Sequence, residues 1–92
     1  MVKVKVKFFA YFRELFGAKE KELVLEDGIS LFELLNCLAL TAKQKSELFL
    51  NSQLKSQVVV IVNGSVAAPE NLSKTKVEDG SVVAIFPIMG GG

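Results

Sequence analysis

A chain of 92 residues, 50% hydrophobic and 23% charged, has enough apolar material for one domain around a single core and too little for two. Its 11 basic and 10 acidic side chains leave a net charge of +1, so no overall field draws nucleic acid or an anionic membrane. With no histidine and one cysteine, Cys37, it can assemble neither a metal cluster, nor a His-based catalytic pair, nor an internal disulfide.

Val2 to Phe8 alternates Val and Lys, the period of a strand with one buried and one wet face, and Val2, Val4, Val6 and Phe8 form its core side. This opening is not a signal peptide, and no stretch is long and apolar enough to span a bilayer, which places the chain in the cytoplasm. Phe9 falls on the lysine side, where a large aromatic serves best against another surface; cover by the chain's own next turn is the alternative. Ala10 to Phe16 carries Phe12, Leu15 and Phe16 at helical spacing and ends at Gly17. Glu22 to Glu26 reads as a second strand, antiparallel to the first, and Asp27-Gly28 as the turn after it.

Ser30 and Glu33 form a capping box, with Ile29 and Leu34 placed as a hydrophobic staple. The helix that starts there carries the stripe Leu31, Leu34, Leu35, Leu38 and is expected to lie across the inner face of the sheet, with Cys37 beside the stripe as a small buried thiol. Thr41 and Gln44 repeat the cap, and Leu48, Phe49 and Leu54 are expected in a second, shorter helix. Val58 to Val62 is an unbroken β-branched run, as for a strand covered on much of both faces. Asn63-Gly64 is a hairpin signal leading into a short strand at Ser65 to Ala67, which Pro69 halts. Leu72 to Val77 is irregular, with room for one helical turn; Asp79-Gly80 turns the chain into a last strand, Val82 to Phe86, that Pro87 stops.

The order suits an α+β fold of the β-grasp type: a mixed sheet wrapped on one principal helix, the last strand beside the first, and residues 86–92 a flexible glycine tail. Glycines pack no core and are expensive to order, so a frayed end is one reading of Gly90-Gly91-Gly92. The other is a thin backbone that carries the unhindered Gly92 carboxylate into a narrow channel.

With these elements placed, the sequence resembles the MoaD/ThiS family of ubiquitin-like sulfur carriers, most closely the small subunits of molybdopterin synthase, over nearly its whole length. The resemblance rests on Val4-Lys5-Val6-Lys7-Phe8-Phe9-Ala10 leading into Phe12-Arg13-Glu14-Leu15-Phe16-Gly17, on Val62-Asn63-Gly64, and on Asp79-Gly80-Ser81-Val82-Val83-Ala84-Ile85-Phe86-Pro87 closing on Gly91-Gly92. Members often have a second proline where Ile88 stands and a small hydroxyl residue where Gly90 stands.

The resemblance implies that Gly92 is the reacting residue: an E1-like partner adenylates its carboxylate with ATP and Mg, and a sulfur donor then displaces AMP to leave a thiocarboxylate. It implies that Gly90 and Gly91 thread into the molybdopterin synthase large subunit, and that Phe9, Val66 and Phe86, with Pro87 and Ile88, form the docking surface. The chain itself would bind no metal or cofactor and have no activity alone, since a domain this small has little room for a pocket that encloses a substrate. The same resemblance admits thiamin, amino-acid or tRNA thiolation, or a protein modifier that joins Gly92 to lysines.

Overall fold

In the computed structural model, which describes residues 1–88, the first strand, β1 (Val2–Phe8), buries Val2, Val4, Val6 and Phe8 and leaves Lys3, Lys5 and Lys7 exposed. Helix α1 (Tyr11–Phe16) follows and ends at Gly17, whose left-handed φ of 70° suits a residue without Cβ. Strand β2 (Glu20–Leu25) begins two residues earlier than the apolar pattern suggests, because Lys7 and Val6 extend the antiparallel ladder to Glu20 and Lys21.

Helix α2 (Leu31–Leu38) carries both halves of the expected capping box: Ser30 Oγ accepts from the Glu33 N–H at 3.1 Å, and Glu33 Oε1 accepts from the Ser30 N–H at 3.3 Å. Leu31, Leu34, Leu35 and Leu38 are buried with the inner residues of the sheet, and Ile29 packs at the edge of that core. Cys37 does not join them; it is exposed. The reason is angular: Cys37 lies four residues after Glu33, on the same solvent-facing side of the helix rather than on the leucine stripe.

Helix α3 (Ala42–Leu48) has its own Thr41–Gln44 box but stops at Leu48, shorter than expected. Leu54 is not in it. Instead β3 (Phe49–Leu50) and β4 (Gln53–Leu54) form a hairpin around Asn51 and Ser52, both at positive φ (52° and 64°), the two-residue turn whose twist matches the strands. Strands β5 (Val58–Val62) and β6 (Ser65–Val66) pair around Asn63-Gly64, and Asn63 Oδ1 accepts from the Val82 N–H at 2.8 Å, tying that turn to the start of the last strand.

The helical turn expected within 72–77 falls just before it, as a 3-10 turn at Pro69–Asn71; proline fits its start because no N–H is needed there. Residues further on are stitched to α2 instead: Leu31 N–H donates to Thr75 O at 2.7 Å and Val77 N–H to Ile29 O at 3.1 Å. The last strand, β7 (Val82–Pro87), includes Pro87, which pairs with Val58 instead of stopping the strand one residue earlier.

The sheet order is β2-β1-β7-β5-β6, with β7 parallel to β1 and antiparallel to β5. This is the mixed β-grasp sheet, and among the described residues three α-helices accompany it. One face packs on α2, and the other is left to solvent.

Candidate functional site

That outer face is the candidate site. Directly paired residues share a face, so the register fixes its layout. Lys5 stands opposite Glu22 and Lys7 opposite Glu20 on one side, and Lys7 stands beside Ala84 on the other. Ala84 faces Ile61, Ile61 faces Val66, and Phe86 faces Val59. The face is therefore divided: mostly charged over β2 and β1, where Val24 opposite Lys3 is the apolar exception, and apolar over β7, β5 and β6.

Phe9 closes the apolar half at the end of β1. Its ring stacks on Phe86 with centroids 4.2 Å apart and planes 10° from parallel, while its N–H donates to Ile85 O at 3.2 Å. It is half-buried, covered on one side by Phe86 and overlain by Arg13 of α1, so the chain's own next turn covers part of the ring and the rest is open. Phe86 and Pro87 are also half-buried, Val66 is 69% exposed and Ile88 is 51% exposed. The structure thus brings Phe9 and Phe86 to one end of the face; Pro87, paired with the buried Val58, turns to the inner side instead, Ile88 follows directly with its N–H on Gln57 O, and Val66 lies across β5 on the edge strand.

Sequence reasoning missed Val59 and Ile61. The unbroken run of β5 is expected to be covered on much of both faces, and it is, unevenly: Val58 and Val60 are buried, while Val59 and Ile61 are partly open on the outer side. The signal was present in the composition: the strand carries apolar residues on both faces, and among the described residues no second layer lies over the outer one.

The local backbone at Phe9 is unusual. Phe9 to Phe12 form a tight turn closed by the Phe12 N–H on Phe9 O at 3.1 Å, with Ala10 at φ 51° and ψ −127°. That pair of angles belongs to the first central position of a type II′ turn, which glycine ordinarily fills. The turn brings α1 back over the strand it left: Arg13 Nε donates to Phe8 O at 3.0 Å, and its guanidinium carbon lies 5.5 Å from the Phe9 ring centre.

The residues Gly90, Gly91 and Gly92, assigned to tail insertion and to the reacting carboxylate, lie outside the described residues. A surface groove of about 500 Å³ between β2 and α2, walled in part by Met1, Asp27, Glu33 and Cys37, exceeds the volume expected of so small a domain, but those four walls are exposed and enclose nothing. Among the described residues no cluster of acidic, cysteine or histidine side chains is placed to hold a metal ion, and no helix is long and apolar enough to cross a membrane.

The ThiS family model matches residues 6–92. A comparison with curated protein sequences gives no match. Among solved structures, the chain is similar to SAMP1 from Haloferax volcanii, with 24% identity, a TM-score of 0.83 and coverage of 98% of this chain and 99% of that one. It is 31% identical to a Pyrococcus furiosus protein provisionally assigned as molybdopterin converting factor subunit 1, over 95% of this chain and 98% of that one, with a TM-score of 0.76. It is 25% identical to the small archaeal modifier protein SAMP1 from Methanosarcina acetivorans, over 100% and 98% of the two chains, with a TM-score of 0.79.

Proposed function

The chain belongs to the ThiS family of ubiquitin-like sulfur carriers and modifiers, and on that premise we propose that it is the sulfur-carrying small subunit of a molybdopterin synthase, acting in the cytoplasm. The observation that carries the proposal is the family match running through the glycine tail to residue 92, on a domain whose apolar outer face leads into that tail at Pro87. The molybdopterin pathway in particular is supported by the identity shared with the Pyrococcus furiosus protein.

In this reading an E1-like partner binds ATP and Mg and transfers adenylate to the Gly92 carboxylate, releasing pyrophosphate. The anhydride gives the carbonyl a leaving group. A sulfur nucleophile supplied by a donor attacks the unhindered carbonyl and expels AMP, which leaves a thiocarboxylate. Gly90 and Gly91 then carry that group into the large subunit, where it attacks a pterin precursor. This chain supplies no acid or base to either step; it docks through Phe9, Val66, Phe86, Pro87 and Ile88, joined by Val59 and Ile61, and delivers the sulfur. Burial of a large apolar side chain contributes roughly 1.5–3 kcal/mol, so the Phe9–Phe86 end is the natural anchor.

A second reading, protein modifier, is favoured by the likeness to the Methanosarcina acetivorans modifier. Intact mass after incubation with ATP, Mg, sulfide and the cognate activating enzyme separates the two. A carrier exchanges one oxygen for sulfur, whereas a modifier forms higher-mass adducts with other proteins. Deleting Gly92 is expected to abolish sulfur loading while leaving thermal stability unchanged, and loading of the truncated chain at the wild-type rate would refute the role of Gly92.

A further inference from the structure

We propose that the cationic groove beside Phe9 receives an aspartate or glutamate side chain of the partner protein, and that Arg13 is the residue that selects for it. The inference rests on the docking reading above and names what lies just outside its apolar core.

The groove, of about 300 Å³, is walled by Lys7, Phe8, Phe9, Arg13, Lys19 and Glu20. Three of these are cations and one is an anion. Glu20 is drawn toward the neighbouring Lys5, 4.0 Å away, whereas among the described residues Lys7, Arg13 and Lys19 have no carboxylate within ion-pair distance. A chain of net charge +1 has concentrated unpaired positive charge at one corner, and that corner shares Phe9 with the apolar docking face. An anion bound there would sit at the rim of the docking contact, where charge steers encounter and rejects wrong partners.

Arg13 is held in place for this task. Its Nε–H is engaged by Phe8 O at 3.0 Å and its guanidinium lies over the Phe9 ring, so the side chain is fixed at two points. The donors on its two terminal nitrogens remain, a planar pair that matches the two oxygens of a carboxylate. Because the side chain is already ordered in the free protein, less rotamer freedom is lost on binding. A lysine at this position would keep the charge but not the Nε bond or the paired donors. A free small anion is a poorer fit, since the groove's aromatic wall is continuous with a surface that a protein partner covers.

The test measures association and dissociation with the purified cognate activating enzyme, at low and high salt, for the wild type and for Arg13→Gln, Arg13→Lys, Lys19→Gln and Phe86→Ala, with thermal unfolding of each. We expect Arg13→Gln to bind about tenfold more weakly, with slower association and a flatter salt dependence. Arg13→Lys is expected to associate at nearly the wild-type rate and dissociate faster, a split that a merely structural role would not produce. Lys19→Gln, which keeps the backbone carbonyl that accepts from the Phe8 N–H at 2.8 Å, should lower the salt dependence without altering unfolding. Wild-type rates and salt dependence in Arg13→Gln and Lys19→Gln, with Phe86→Ala weakened, would overturn this inference and leave the docking face standing. Wild-type binding by Phe86→Ala would overturn both. Saturable binding of inorganic phosphate by the isolated chain, lost in Arg13→Gln, would make the groove a free-anion site and overturn the assignment.

Discussion

Replacing Ala10 with glycine is expected to stabilise the protein, although it removes a methyl group from the middle of its most characteristic stretch. Ala10 stands at φ 51° and ψ −127°, a conformation in which its Cβ crowds the adjacent backbone. Strain of this kind amounts to about 1–3 kcal/mol. Glycine relieves it but enlarges the freedom of the unfolded chain, which offsets roughly 0.4–1 kcal/mol. Ala10 is exposed, so little buried area is lost with the methyl, and it is the N-cap of α1 without a side-chain cap bond, a position where glycine is the better residue. The net gain is about 1 kcal/mol, which for a domain of this size raises Tm by about 4–8 °C. Urea unfolding measures it as a higher midpoint at unchanged slope. Ala10→Val, a β-branched residue at positive φ, should shift the midpoint the other way. An unchanged or lower midpoint in Ala10→Gly would refute the assignment of strain to this turn.

Phe86→Ala should weaken binding of the activating enzyme by more than it lowers stability, because among the described residues its ring stacks on Phe9 at a half-open face; calorimetric titration against thermal unfolding gives the ranking, and the reverse order would make it a core residue. Val66→Asp, at a position 69% exposed, should change stability by less than about 0.5 kcal/mol while reducing partner affinity. Ser30→Ala should lower stability by about 1–2 kcal/mol in chemical unfolding, since Ser30 is 2% exposed and its Oγ serves the Glu33 N–H and carboxylate together.

Most of the scaffold was legible because local and tertiary signals agree. The Val–Lys alternation of β1, the leucine stripe of α2, the two capping boxes and the Asn63-Gly64 turn each point to one structure, and each is found. The failures fall where a residue type conceals its conformation or its surroundings. Ala10 occupies a glycine position without being glycine, so the turn that seats Phe9 and Arg13 left no mark in the sequence. Ser52 does the same in the β3–β4 hairpin, which is why the second helix was expected to run on to Leu54. Val59 and Ile61 look like core residues because a half-open apolar strand carries the same side chains as a buried one, and Cys37 looked buried because its neighbours in sequence are. Phe9 was readable as an outward aromatic from its parity alone; that Phe86 would be its partner required the parallel pairing of β1 with β7.

That pairing has a mechanical consequence. Strand β7 is flanked by β1 on one side and β5 on the other, and its bonds run from Ser81 O, which accepts from Lys5, to the Ile88 N–H, which donates to Gln57. A pull on the residues beyond Ile88, directed along the strand, loads both ladders in shear, so their bonds resist together instead of opening one after another from the end. On the proposed function, a partner that drew the tail into a channel would work against that anchor, and the two ladders would hold the domain folded while it did so.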